Sequence, residues 1–461
     1  MISTRDVEGL ATLTLSLRLG EGEAAPGEAG EDYSGGRTAC VDLVVDRGGE
    51  ALGGMTLPLS AFGIPPNFDP SMTAGPEPKF AIEEPLWPMV GGLVQRATDG
   101  LGPLWLELAT PVGSLAVLPW EQMLAPILGE LVVARAPSYP LFVPLDLPRV
   151  DVVLCVPDSS ATPADTMSMV DSLLAALPPG GGREFFVHIF TGAETHASLS
   201  RRPVDARLEL HDPFHARAKP ATRTATGAAA EGVTNPWLSW IVREMEDATA
   251  EVVHFVAPGS LASGGLPMLA LAYSPSGIDD ELRSAFVGPN ELAECLAQLG
   301  AWGVGFTSPQ SGSKMGLRQL FYDVARLRVG PVVHHDAAFD PRGTQLADTY
   351  ARLFTDQPPV YSNALSMYLH PANFAPAESA VWTTGDPVLE AVAQLQATLT
   401  TDPGAPVWAT STRRYLQQAA GRRLPVPKET ESTVEEAAAR GLRDILLFVD
   451  QVLQDTEGEL Q

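Results

Sequence analysis

Residues 150–156 read VDVVLCV. An apolar run of this length, without alternation, marks a strand buried on both faces. Such a strand belongs inside a parallel sheet covered by helices on either side. The next residues fit that placement. Thr162 can cap a helix with Pro163 in its first turn, and Met167, Val170, Leu174 and Leu177 share one face. PPGGG (178–182) then turns the chain into a second buried strand, FFVHIF (185–190).

The same alternation continues downstream. Asn235 and Pro236 open the helix WLSWIVREMEDA, which leads to the strand EVVHFV (251–256). PNELAECLAQLG forms a helix closed by Gly300, followed by the strand GVGF (303–306), a helix over roughly 314–328 and the strand PVVHH (331–335). Strand and helix in regular turn predict a mostly parallel sheet flanked by helices. Residues 195–234 interrupt the rhythm. The segment 201–223 within them holds six basic and three acidic residues, opposite in balance to the whole chain. This insert reads as mobile or partner-ordered, either a tolerated surface insertion or a segment that docks an acidic surface.

Upstream, Leu13, Leu15, Leu17 and Leu19 alternate with polar residues, Cys40 to Val45 form a second strand and Met55 to Leu59 a third. Residues 1–100 are therefore expected to be a small β-rich domain, with a proline-rich connector at 60–85. LWLEL (104–108) and SLAVL (114–118) read as further strands. Domain boundaries are expected at 1–100, 101–370 and 371–461. The last unit is a helical extension: Ser432 and Glu435 suit a capping box, and Val434, Ala438, Leu442, Ile445, Val449 and Val452 recur at helical spacing.

Composition excludes several classes of function. The 461 residues carry 30 Lys+Arg against 56 Asp+Glu, a net charge of −26, which opposes encounter with DNA or RNA. No apolar run reaches membrane-spanning length, and MISTRDVEGL has no basic region leading into an apolar core, so neither a membrane span nor a leader is expected. The three cysteines, Cys40, Cys155 and Cys295, are too scattered for a disulfide framework or a zinc cluster, and a reducing cytoplasm fits them.

Three landmarks in order carry a resemblance. They are Leu118-Pro119-Trp120-Glu121, His254-Phe255-Val256-Ala257-Pro258-Gly259, and Thr307-Ser308-Pro309-Gln310-Ser311-Gly312. The run from about 104 to 370 resembles CHAT domains, bacterial caspase-like cysteine peptidases. The landmarks resemble that family's PWE, H-F-x-x-H-G and A-C-x-S-G motifs. The resemblance implies a caspase-like α/β fold with a catalytic His and a catalytic Cys, each at the end of a strand. Here those two positions are Pro258 and Pro309. Proline offers neither a base nor a nucleophile, and at 309 it also removes a backbone N–H that would help bind an oxyanion. His254, Gly259, Ser311 and Gly312 remain as vestiges of the motifs.

The expectation is a catalytically inactive binding or regulatory protein in a bacterial signalling or defence assembly. No cofactor, metal, nucleic acid or membrane is expected. Its partners would be proteins, for example an active peptidase, a defence effector or a second copy. The alternative is a cysteine hydrolase with a relocated nucleophile, Cys155, served by His254. The other groups have plainer readings: Cys155 and Cys295 as buried hydrophobes and His254 as a hydrogen-bonded core histidine. His334-His335-Asp336 puts adjacent imidazoles on opposite strand faces, against a shared ion. His211 to His215 reads as a loop, and Asp158-Ser159-Ser160 as a turn before a helix.

Overall fold

The computed structural model describes residues within 11–369; the longest stretches outside it are 21–37, 69–78, 136–147 and 218–232, and 311–313 are also outside. The proposed C-terminal helix, like the whole of 371–461, lies beyond the described residues, as do Ser311 and Gly312. The strands are β1 (Ala11–Gly20), β2 (Thr38–Arg47), β3 (Glu50–Pro58), β4 (Leu104–Leu108), β5 (Val133–Arg135), β6 (Arg149–Val156), β7 (Glu184–Thr191) and β8 (Leu208–His211). They continue as β9 (Val252–Val256), β10 (Gly259–Leu261), β11 (Pro267–Ala272), β12 (Ser284–Val287), β13 (Gly303–Ser308), β14 (Val332–Asp336) and β15 (Leu365–Tyr368). The helices are α1 (Trp87–Thr98), α2 (Trp120–Leu128), α3 (Pro163–Ala176), α4 (Ala193–Leu199), α5 (Pro236–Glu244), α6 (Pro289–Gln298), α7 (Met315–Leu327) and α8 (Thr344–Phe354).

Twelve strands form one sheet in the order β3-β2-β1-β4-β5-β15-β14-β13-β9-β6-β7-β8, and β10-β11-β12 form a small antiparallel sheet. The run from β14 to β8 is parallel, and β15 closes on β14 antiparallel. The result is the mostly parallel, helix-flanked α/β sheet expected, consistent with the caspase-like description. The N-terminal strands do not build a sheet of their own. β1 pairs in parallel with β4, from Ala11 opposite Leu104 to Leu15 opposite Leu108, so the sheet runs through the expected boundary at residue 100.

Topology assigns helices to faces. From β6 the chain steps outward to β7 and β8, and then returns to build β9, β13 and β14 on the other side of β6. Right-handed crossovers place the helices of opposite steps on opposite faces. Accordingly α3 packs with Leu154, Val252 and α8, whereas α5, α6 and α7 pack with Val153, Phe255 and Phe306 on the other face. The starts of two helices follow from their caps. Thr162 Oγ1 accepts from Asp165 N (3.2 Å) while Asp165 Oδ2 accepts from Thr162 N (3.3 Å). Asn235 Oδ1 accepts from Trp237 N (2.9 Å) at the head of α5. Such a cap is worth about 1 kcal/mol.

Two readings change. SLAVL is a 3-10 helix, Gly113–Val117, not a strand. Its apolar run is buried all round, which periodicity alone cannot distinguish from a strand. Its carbonyls serve side chains rather than a ladder: Leu115 O accepts from Trp120 Nε1 (2.8 Å) and Val117 O from Arg318 (3.4 Å). The described part of the insert also carries regular structure, and of the His211 to His215 loop reading only the exposed Phe214 and His215 fit a solvated loop. It supplies most of α4 and the edge strand β8, and Val187 pairs with Leu208 through Phe190 with His211. His211 is buried there, stacked on Phe190 at 4.1 Å, and burial foremost lowers its imidazole to about 4.

Candidate functional site

Open α/β sheets bind ligands beyond the carboxyl ends of the strands, where the strand order reverses. Here the reversal lies between β6 and β9. A cleft of about 350 Å³ opens there, lined by the last residues of β6 and β9 (Val156, Val256), by Thr307 of β13 and by Pro309. Its other wall is the loop before α3 and the first turn of α3, Asp158 to Thr166, and the head of α4, Glu194 and Thr195. Two of the wall carboxylates have structural duties. Asp165 caps α3, and Asp158 accepts from Glu194 N (3.1 Å) and Thr195 N (3.0 Å) at the head of α4. Among the described residues, no thiol and no imidazole lines this cleft.

The motif positions sit where their order suggested. β9 and β13 are parallel neighbours, with Val256 opposite Thr307, and Pro258 and Pro309 each follow their strand by one or two residues. Gly259 has a packing role. A Cβ there would overlap the backbone of Gly316 and Leu317 in the first turn of α7. Gly259→Ala is therefore expected to lower stability by about 1–3 kcal/mol, read as a shift in the urea midpoint. A variant as stable as the parent would show that this close approach has been misjudged.

Cys155 and His254 do not meet. Leu154 pairs with His254 and Cys155 with Phe255, so alternation sends Cys155 and His254 to opposite faces of the sheet. Cys155 is fully buried in the α5–α7 core, and burial, then the neighbouring Cys295, raises its thiol well above the ordinary value. The thiolate that nucleophilic attack requires is disfavoured there. Cys295 is likewise buried and raised, by burial first.

His254 anchors a buried polar chain under the floor of the cleft. Tyr350 Oη lies 2.8 Å from His254 Nδ1, His254 Nε2 lies 2.6 Å from Thr307 Oγ1, and Thr307 Oγ1 lies 2.9 Å from His335 Nδ1. His335 Nε2 faces Asp340 Oδ2 at 3.3 Å; it fails the directional criteria of a hydrogen bond, so this is chiefly an electrostatic contact. One proton assignment serves the chain in a single direction. The Tyr350 hydroxyl donates to His254, His254 Nε2–H to Thr307, and the Thr307 hydroxyl to His335 Nδ1. Burial pulls the Asp340 carboxyl up, but His335 and the amides of Gln345 and Thr344 outweigh it and hold the carboxyl below its ordinary value. Burial, then His335, pushes His254 down to about 3, so it is neutral near pH 7. Burial raises the Tyr350 hydroxyl.

Thr307, His335 and Asp340 occur in the order of a hydroxyl–imidazole–carboxylate relay. Thr307 is nevertheless fully buried and already engaged by two imidazoles. On the opposite face Ser308 Oγ sits 2.8 Å from His334 Nε2, also buried. These pairs satisfy polar groups that would otherwise be stranded in the core. Their members lie on different strands, so only strand pairing brings them together; the one local signal was histidine inside apolar runs. Lys314 binds Asp336 at 2.5 Å at the end of β14.

No protein-family model, no curated protein and no solved structure matches the chain.

Proposed function

We propose that this chain is a catalytically inactive, caspase-like pseudo-peptidase that works by binding, as a regulatory component of a bacterial signalling or defence assembly. One observation carries the reading: the cleft at the strand ends, where cysteine-peptidase chemistry would sit, is lined by Pro309, hydroxyl side chains and carboxylates, with no thiol or imidazole among the described residues. The order of the three landmarks along the chain supports the family assignment, and proline at 258 and 309 supports inactivity. The proposed occupant is a protein segment, from an active peptidase, a defence effector or a second copy. The cytoplasm is the proposed setting; among the described residues no helix is long and apolar enough to cross a membrane.

The alternative, a hydrolase built on Cys155, is disfavoured by the burial of that thiol and by its separation from His254 across the sheet. The test sets the wild type beside Cys155→Ser, using a peptide library and a thiol-directed electrophile under native conditions. No cleavage is expected, and Cys155 is expected to stay unlabelled until the protein is unfolded. Cleavage abolished by Cys155→Ser would establish the alternative. Pro258→His combined with Pro309→Cys should also remain inactive, because a working dyad needs its groups held to about 0.5 Å by supporting contacts. Efficient cleavage by that double variant would count against a fully degenerate site.

A further inference from the structure

We propose that His188, Glu209 and His211 form a binding site for a divalent transition-metal ion of the zinc type at the β7–β8 edge of the sheet. This site is separate from the cleft and does not depend on the proposed binding function.

Strand register creates the site. His188 lies opposite Glu209 and Phe190 opposite His211, so the three side chains share one face of two parallel strands. His188 Nδ1 stands 3.2 Å from His211 Nε2 and 3.3 Å from Glu209 Oε2. The three ligand atoms all lie within 4.8 Å of one another. Tetrahedral zinc with bonds of about 2.0–2.1 Å has ligand–ligand edges of roughly 3.3–3.4 Å. The two short separations therefore match tetrahedral edges closely.

The surroundings are those a metal-bound histidine uses. Its second ring nitrogen characteristically faces a carboxylate, which fixes the tautomer and orients the ring. His188 Nε2 lies 2.9 Å from Asp151 Oδ1, and His211 Nδ1 faces Glu244 Oε2 at 3.9 Å. Arg149 binds Asp151 at 2.5 Å and approaches His188 on that same outer side, 3.4 Å from Nε2, away from the three converging atoms. Phe190 stacked on His211 holds the second ring in place.

Proton bookkeeping points the same way. With His188 Nε2–H donating to Asp151 Oδ1, Nδ1 presents a lone pair. His211 Nε2–H can donate to it, which leaves the Glu209 carboxylate facing a lone pair at 3.3 Å. A cation between the three atoms would satisfy all of them. Protonation of His188 is the competing solution, and the two differ in what they bind. Glu209, with a side chain 53% exposed, opens the site to solvent and leaves a fourth position for water. Two imidazoles and a carboxylate suit zinc and its neighbours rather than calcium or magnesium.

The experiment uses the full chain, stripped with a chelator and titrated with Zn²⁺, then in parallel with Co²⁺ as a spectroscopic probe. The wild type is expected to bind one equivalent of Zn²⁺, and its Co²⁺ form to show the strong visible absorption of a four-coordinate ion. Glu209→Gln and His211→Gln should each weaken Zn²⁺ binding by more than about tenfold, whereas His215→Ala, at an exposed neighbour, should not. Glu209→Gln leaves the core untouched, so it decides the matter even if His211→Gln fails to fold. The proposal fails if the wild type binds no stoichiometric zinc, or if Glu209→Gln binds as tightly as wild type. It fails equally if His215→Ala, rather than Glu209→Gln, removes the site.

Discussion

Replacing Gly305 by alanine is expected to cost roughly 3–5 kcal/mol, from overpacking together with broken buried hydrogen bonds. Gly305 sits in the middle of β13, and a Cβ there would overlap both the His254 imidazole and the Tyr350 hydroxyl. Neither group can move aside cheaply. Both are buried, they bond to each other at 2.8 Å, and His254 also holds Thr307. Displacing them would leave a phenol hydroxyl, an imidazole and a threonine hydroxyl unsatisfied in the core. Gly92→Ala is the matched control. Gly92 lies within α1, and outside its chain neighbours and its own helix backbone nothing stands within 4 Å of where a Cβ would be, so that variant should gain up to about 1 kcal/mol. Urea unfolding of both variants checks the contrast. A Gly305→Ala protein as stable as the control would mean the His254–Tyr350–Thr307 chain is loose rather than close-packed.

The second large effect is a loss of stability on mild acidification. His254 is held at about 3 in the folded protein against an ordinary 6.5. Between those values the unfolded chain binds a proton that the folded chain refuses. Stability is therefore full above about pH 6.5 and falls as pH drops, by up to about 1.4 kcal/mol per pH unit for this histidine. His211, lowered to about 4, contributes with the same sign. From pH 6.5 to 4.5 the combined loss should reach several kcal/mol, in a window above most carboxylate titration. The measurement is the unfolding free energy across that range in the presence of a chelator, which keeps bound metal out of the comparison. A flat profile would show that His254 takes up its proton in the folded state.

Several features were legible in the residues themselves. VDVVLCV, FFVHIF and EVVHFV read as internal parallel strands because each is a β-branched or aromatic run of strand length bounded by turn or cap signals. Thr162-Pro163 and Asn235-Pro236 announced their helices, because a cap acts within one turn of its own residue. The placement of Pro258 and Pro309 just past strand ends also followed from order and spacing, whereas the adjacency of those two strands came from pairing. Each of these depends on interactions that are local or set by a strict period.

Pairing decided the rest. Whether Cys155 could meet His254 depended on which residue of β6 lies opposite β9; a shift of one would have put the thiol on the histidine's face. The insert looked like a loop because a four-residue strand, Leu208–His211, has almost no signal of its own and exists by adding to the edge of β7. SLAVL is apolar all round, so only the demands of Trp120 and Arg318 on its carbonyls choose the 3-10 turn. The polar chain beneath the cleft joins residues 254, 307, 335, 340 and 350, and the proposed metal ligands come from 188, 209 and 211. The sequence alone determined the kind of sheet and the places of its long internal strands. Which side chains share a face and touch was left to strand register, because register is fixed by the packing of the whole sheet and not by any one strand.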